Sequence, residues 1–131
     1  VAVKPETNFS NRVRKHLPKR IYCLKNNNPY AGGVPDLWLS GRKGDAWIEM
    51  KYVDPLPVNV PVRPSKLLSA LQIQWLDARH DEGRQVAVII GCKTGGVVLT
   101  NKDWHHDLTV EEFKSLILSP TALSEWIQEI V

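Results

Sequence analysis

One well-marked helix separates two groups of short apolar segments, and that order constrains the fold more than any other feature of this chain. Ser69-Ala70-Leu71-Gln72 has the spacing of a capping box. The Ser hydroxyl accepts a backbone N–H three residues on, and the Gln side chain reaches back. Leu71, Trp75 and Ala78 then place an apolar face on a helix that Gly83 terminates. Before this helix, Ile21–Leu24, Val34–Leu39 and Ala46–Val53 read as strands, with a turn at Ser40–Gly44. After it, Gln85–Gly91 and Gly96–Thr100 read as a hairpin around Lys93-Thr94-Gly95. A strand–helix–strand crossover puts the later strands in the same sheet as the earlier ones.

The ends of the chain complete the pattern. Phe9, Val13 and Leu17 form one stripe of a first helix that starts at Pro5 and stops at Pro18. Pro55, Pro57, Pro61 and Pro64 make an extended connector not expected to be helical. Thr109–Leu118 opens with a second capping box, Thr109 to Glu112, and Ser119-Pro120 begins a last helix. Trp126, Ile127 and Ile130 on that helix are expected in the core or at a dimer surface. The expected order is α-β-β-β-α-β-β-α-α, an α/β fold with a central mixed sheet.

A chain of 131 residues suits a single domain, here residues 1–131, with a core over about 5–100 and a C-terminal helical extension over 101–131. The longest apolar runs, Val86–Ile90 and Val97–Leu99, fall far short of the ~20 residues a membrane helix needs. With no signal-peptide pattern at the start, the expectation is a cytoplasmic protein. Cys23 and Cys92 are expected as buried free thiols; two cysteines exclude a four-cysteine metal site within the chain.

Charge is unevenly divided. Residues 1–68 hold 12 Lys/Arg against 5 Asp/Glu, a net +7, whereas residues 69–131 carry −4. A basic half suits phosphate binding. The candidate contacts are Arg12, Lys15, Lys19, Arg20, Lys25, Arg42, Lys43, Arg63 and Lys66, with Asn28 and Tyr30 in the loop before Asp36. Asp103-Trp104-His105-His106-Asp107 is read as a solvated loop rather than a metal cluster, since adjacent His residues on a strand point to opposite faces.

The chemistry gathers on the second and third strands. In Trp47-Ile48-Glu49-Met50-Lys51, alternation puts Glu49 and Lys51 on one face, with Ile48 and Met50 on the core face. Leu37 and Leu39 are core candidates, and Asp36 lies opposite them. An antiparallel pair around Ser40–Gly44 lets Asp36 approach Glu49. Two carboxylates brought together need a neutralising cation, and carboxylates with open water positions suit Mg²⁺, with Mn²⁺ as a substitute.

Val34-Pro35-Asp36 followed by Ile48-Glu49-Met50-Lys51 resembles the PD-(D/E)xK nuclease signature. Gly33-Val34-Pro35-Asp36-Leu37 with Ile48-Glu49-Met50-Lys51 is similar to the VRR-NUC branch, which includes small stand-alone phage nucleases. Glu6 ahead of Phe9 and Val13, and Gln72 before Trp75 and Leu76, match further positions of that branch.

The resemblance covers about residues 5–100 and implies a restriction-endonuclease-like core and a phosphodiester hydrolase. It implies that Asp36, Glu49 and the Met50 backbone carbonyl bind the metal, that Glu6 completes the site, and that Lys51 positions the attacking water. Glu6 also suits a helix start, and Gln72 suits its cap. Stand-alone members of this kind act as homodimers on four-way junctions, so the resemblance implies a structure-specific DNA endonuclease in a phage or bacterial setting, such as a Holliday-junction resolvase. Two other readings stay open: a sequence-specific or general DNA nuclease on the same fold, and a DNA-binding or interaction module without the chemistry.

Overall fold

The structure is a computed structural model and describes residues 3–26 and 32–131. It contains α1 (Pro5–Arg14), β1 (Tyr22–Lys25), β2 (Leu37–Ser40), β3 (Asp45–Tyr52), α2 (Pro64–Leu67), α3 (Ala70–Asp81), β4 (Val86–Cys92), β5 (Gly95–Leu99), a 3₁₀ turn at Asp103–His105, α4 (Val110–Leu116) and α5 (Pro120–Ile130). The strands form one sheet in chain order, β1-β2-β3-β4-β5. Among the described residues only β3 and β4 run parallel, joined by the crossover through α3; the other neighbours are antiparallel. This is the mixed sheet flanked by helices that the segment order implied.

Strand alternation divides the interior in two. Leu37, Leu39, Ile48, Met50, Ala87 and Ile89 face Phe9 and Val13 of α1 and Leu123 and Ile127 of α5. Val88, Ile90, Val97 and Leu99 face Leu76, Trp104 and Phe113. The fit of α1 is close: a Cβ at Gly91 would run into the Phe9 ring. Burying each large apolar side chain stabilises by about 1.5–3 kcal/mol.

α5 is held at both ends. The Ser119 hydroxyl accepts the Ala122 N–H at 3.1 Å, and Pro120 takes the first turn. At the far end the Gln85 amide donates to the Ile130 carbonyl at 3.0 Å, and the Lys43 N–H donates to the Val131 carbonyl at 3.2 Å. Trp126 and Ile130 are partly buried against the core.

Several expectations are corrected. β2 begins at Leu37, not Val34, because Pro35 has no N–H for a ladder and Gly33 has φ +83°. The proline connector is not wholly extended, since Pro64 opens the single turn α2; its fixed φ suits a first helical position. α1 stops at Arg14, so Leu17 lies beyond the helix and only partly packs on the core.

On α3 the buried residue is Leu76, while Leu71 is 58% exposed. The helix is seated by polar fastenings as well as apolar area. Asp77 accepts the Trp104 indole N–H at 2.9 Å, and His105 Nε2 lies 2.8 and 2.7 Å from its two oxygens. The Asp103–Asp107 segment is solvent-exposed at Asp103, His105, His106 and Asp107, as expected, but Trp104 is fully buried and anchors the segment to α3. Both cysteines are free, Cys92 buried and Cys23 only half-buried. No helix among the described residues is long and apolar enough to cross a membrane.

Candidate active site

The backbone of β3 explains how the carboxylates meet. The N–H groups of Trp47 and Val53 bond to the carbonyls of Gln85 (3.0 Å) and Gly91 (2.8 Å), on the β4 side. Odd residues thus direct their amide groups toward β4 and even residues toward β2. The β2–β3 ladder ends at Leu37 and Ile48, so Met50 projects past the end of β2. Asp36 fills that gap, its Oδ2 accepting the Met50 N–H at 3.0 Å. On an extended chain a residue's carbonyl points the same way as its N–H, so the Met50 carbonyl is directed into the same gap.

Asp36 is itself held from two sides. Its carbonyl accepts the Asn26 N–H at 2.6 Å, at the end of β1. Gly33, three residues earlier, sits against the first turn of α3, where a Cβ would overlap the Leu71 carbonyl. Its φ of +83° also disfavours any side chain. Gly33→Ala is therefore expected to lose about 2–3 kcal/mol of stability and to move Asp36 off the end of β3. Thermal melting and cleavage assays check both effects.

Glu49 is 2% exposed. Its Oε2 accepts the Gln72 side-chain amide at 3.2 Å and lies 3.6 Å from Lys51 Nζ. Its Oε1 is buried and accepts no hydrogen bond from a donor group among the described residues, although the carboxyl, when protonated, is within hydrogen-bonding reach of Asp36. Burial pushes its pKa up to about 8, reinforced by the negative charge of Asp36 and opposed by Lys51. Glu6, at the start of α1, is likewise raised by burial and then by Asp36, with Lys51, Lys4 and Lys25 acting against the rise. Glu6, Asp36 and Glu49 thus repel one another in a confined space at one end of the sheet.

Gln72 serves two elements with one amide. Its oxygen accepts the Ser69 N–H at 2.9 Å in the capping box, and its nitrogen donates to Glu49. The cap and the contact to the carboxylate coexist, and the cap fixes where the amide points.

This donor set fits a hard divalent cation. A buried carboxylate oxygen lacks a donor, burial and then the charge of Asp36 raise the pKa of Glu49, and a backbone carbonyl faces the same gap. Among the described residues no group of three or more acidic, imidazole or thiol side chains is placed to hold a metal ion, so Glu6 does not join Asp36 and Glu49 as a third side-chain ligand in this geometry. Mg²⁺ asks for less, because it binds through one or two carboxylates and keeps several waters.

The structure separates the basic candidates. Lys25 pairs with Leu37 at the carboxylate end of the sheet. Lys4, which sequence reading passed over, influences Glu6 two residues away, and that adjacency was the available signal. Arg12 on α1 and Lys15, the C-cap residue of that helix, lie in a groove shared with Tyr52.

Arg42 and Lys43 are not beside the carboxylates. They sit in the β2–β3 turn beyond Ser40, the full length of β2 from Asp36, or roughly 13 Å at ~3.3 Å per residue. Lys19 and Arg20 precede β1 at that same far end, where Tyr22 pairs with Ser40. Arg63 pairs with Asp107 at 3.6 Å, and Lys66 borders the proline connector. Asn28 and Tyr30 lie outside the described residues.

No protein-family model matches the chain, and no curated protein sequence matches it significantly. Among solved structures, it is similar to Archaeoglobus fulgidus Hjc, a Holliday junction resolvase from an archaeal hyperthermophile. The TM-score is 0.56 at 14% identity, over 92% of this chain and 96% of that one. At that identity the likeness concerns the fold: the chain has the restriction-endonuclease-like architecture of that resolvase.

Proposed function

We propose that this protein is a metal-dependent endodeoxyribonuclease of the PD-(D/E)xK type that acts as a homodimer on branched DNA, in the manner of a Holliday junction resolvase. The observation that carries the proposal is the buried, half-partnered Glu49 beside Asp36 and Lys51, at the end of a sheet shared with a known resolvase. The VRR-NUC-like motif order supports the finer placement.

Asp36, Glu49 and the Met50 carbonyl would hold Mg²⁺ or Mn²⁺, with Glu6 completing the site through water. The ion supplies Lewis acidity at the scissile phosphate and lowers the pKa of bound water. Glu49 would hold the ion as its carboxylate. Gln72 holds the Glu49 carboxylate in one orientation, leaving Oε1 for the ion. Lys51 is 19% exposed, so Nζ reaches both Glu49 and solvent. It positions the attacking water and offsets charge developing on the phosphate oxygens. Two copies related by a two-fold axis would nick opposed strands symmetrically.

Labelled four-way junction, fork, flap and linear duplex, each with Mg²⁺, Mn²⁺ or chelator, test this reading. The expected result is metal-dependent cleavage of the junction at least about tenfold faster than of duplex. Equal cleavage of junction and duplex favours a general nuclease of the same fold. No cleavage with either metal overturns the enzymatic reading.

A further inference from the structure

The surface of α1 beyond Glu6 has features that the carboxylate site does not explain. Pro5, Asn8, Asn11, Arg12, Lys15 and Tyr52 line a groove of about 700 Å³. A second groove, of about 460 Å³, continues past Asn11, Arg14, Lys15 and Lys19 toward β1. The two grooves meet at Asn11 and Lys15 and together are called the α1 trench. Four cations border it, and among the described residues no Asp or Glu lines either part.

Arg12 is the most telling of these residues. Its guanidinium carbon lies 6.0 Å from the Phe9 ring centroid, and Phe9 is itself fully buried. That contact holds the planar group against the helix. Its Nε is buried without a hydrogen-bond partner among the described residues. A buried donor left unmatched costs about 1–3 kcal/mol, a cost that a shift of the side chain onto an external acceptor would relieve. Asn8 and Asn11 add amide donors on the same helical stripe, since positions 8, 11, 12 and 15 are neighbours at i, i+3 and i+4 spacing.

The position of the trench identifies its ligand. Its head is built from Pro5 and Tyr52, one residue along the chain from Glu6 and Lys51 and at the same end of the sheet; Tyr52 faces α1 while Lys51 shares a face with Glu49, so a strand leaving the carboxylates crosses the end of the sheet to enter the trench. From Pro5 to Lys15 the helix axis advances roughly 15 Å, about four nucleotide steps at ~3.4 Å per step. We infer that the α1 trench binds the sugar–phosphate backbone of the DNA strand flanking the scissile phosphate, with Arg12 and Lys15 each on a phosphate oxygen. This rests on the nuclease reading and adds the direction in which the strand leaves the catalytic carboxylates. It also separates Arg12 and Lys15 from Arg42 and Lys43, which lie at the opposite end of the sheet.

The test is salt-dependent binding of fluorescein-labelled junction DNA by the full chain in chelator, where cleavage cannot interfere. Wild type is compared with Arg12→Ala/Lys15→Ala, Arg14→Ala/Lys19→Ala and the distal control Arg42→Ala/Lys43→Ala. Each lost phosphate contact lowers the slope of log K against log salt by about 0.9. The expected result for Arg12→Ala/Lys15→Ala is a slope shallower by about 2 and affinity about tenfold weaker, with the distal control unchanged. Arg14→Ala/Lys19→Ala replaces exposed or half-exposed groups, so it reports on the trench even if loss of Arg12 disturbs Phe9; Lys19 lies at the far end of the sheet, so only the Arg14 contact is lost and the slope is expected to fall by about 1. Wild-type slopes in both trench variants overturn the trench while leaving DNA binding intact. Failure of the wild type itself to bind DNA overturns both the trench and the nuclease reading.

Discussion

Asp36→Asn, Glu49→Gln and Lys51→Ala are each expected to lower metal-dependent DNA cleavage by about 10³-fold or more while the protein stays folded. The first two substitutions keep shape and remove charge. Asn at position 36 still offers an oxygen to the Met50 N–H, so the end of β3 keeps its partner. Gln at position 49 can keep its contact to Gln72 after an amide flip, and it removes an acid from a site that is 2% exposed. Glu49→Gln is therefore expected to melt at or above the wild-type temperature in metal-free buffer at pH 8, while losing activity. Opposite movement of stability and rate is the signature of a functional charge held against its folding cost. Near-wild-type cleavage by two of the three variants would remove the catalytic assignment.

Metal-free protein is expected to lose stability as pH rises from about 4.5 to about 8. Glu49 has its pKa raised from 4.5 to about 8, first by burial and then by Asp36. Between those values the folded state holds a proton that the unfolded state has released. Stability contributed by the neutral carboxyl is thus complete below the unfolded value and is lost as pH climbs through the folded one. Glu6 is displaced in the same direction, again by burial first and Asp36 second. Each tenfold change in proton affinity corresponds to ~1.4 kcal/mol, so the loss amounts to a few kcal/mol. Urea denaturation at pH 5, 6.5 and 8 in chelator measures it, and Glu49→Gln should flatten most of the slope. Added Mn²⁺ should restore stability chiefly at the alkaline end, because a cation that binds only the folded state stabilises by mass action.

Much of the fold was legible because strong local signals agreed with one another. The Ser69 capping box, the Gly83 stop, the Lys93-Thr94 turn and the Ser119-Pro120 start all depend on a few adjacent residues. The approach of Asp36 to Glu49 was expected from period-two alternation and a short turn; the bond from the Met50 N–H to Asp36 was not. The seating of α3 did not follow. Leu71, Trp75 and Ala78 look like a face by size, yet Leu76 goes inward because Gln72 reaches Glu49 and Asp77 ties the helix to Trp104 and His105. These partners come from elsewhere in the chain, beyond the reach of helical periodicity.

The basic residues show a different limit. Hairpin register already put Arg42 and Lys43 at the closed end, away from Asp36, and counting along the strands would have separated them. The trench along α1 had no comparable signal, since it exists only where Tyr52 of β3 meets the Asn8–Arg12–Lys15 stripe.

Calorimetric titration of Mn²⁺ into wild type, Asp36→Asn and Glu49→Gln at pH 7.5, repeated in buffers of different ionisation heat, tests the central claim most directly. Wild type should bind the ion and release close to one proton as Glu49 gives up its own; both variants should bind far more weakly, with the proton release gone from Glu49→Gln. Equal binding by all three proteins, or none by wild type, would contradict a divalent-cation site built from these carboxylates.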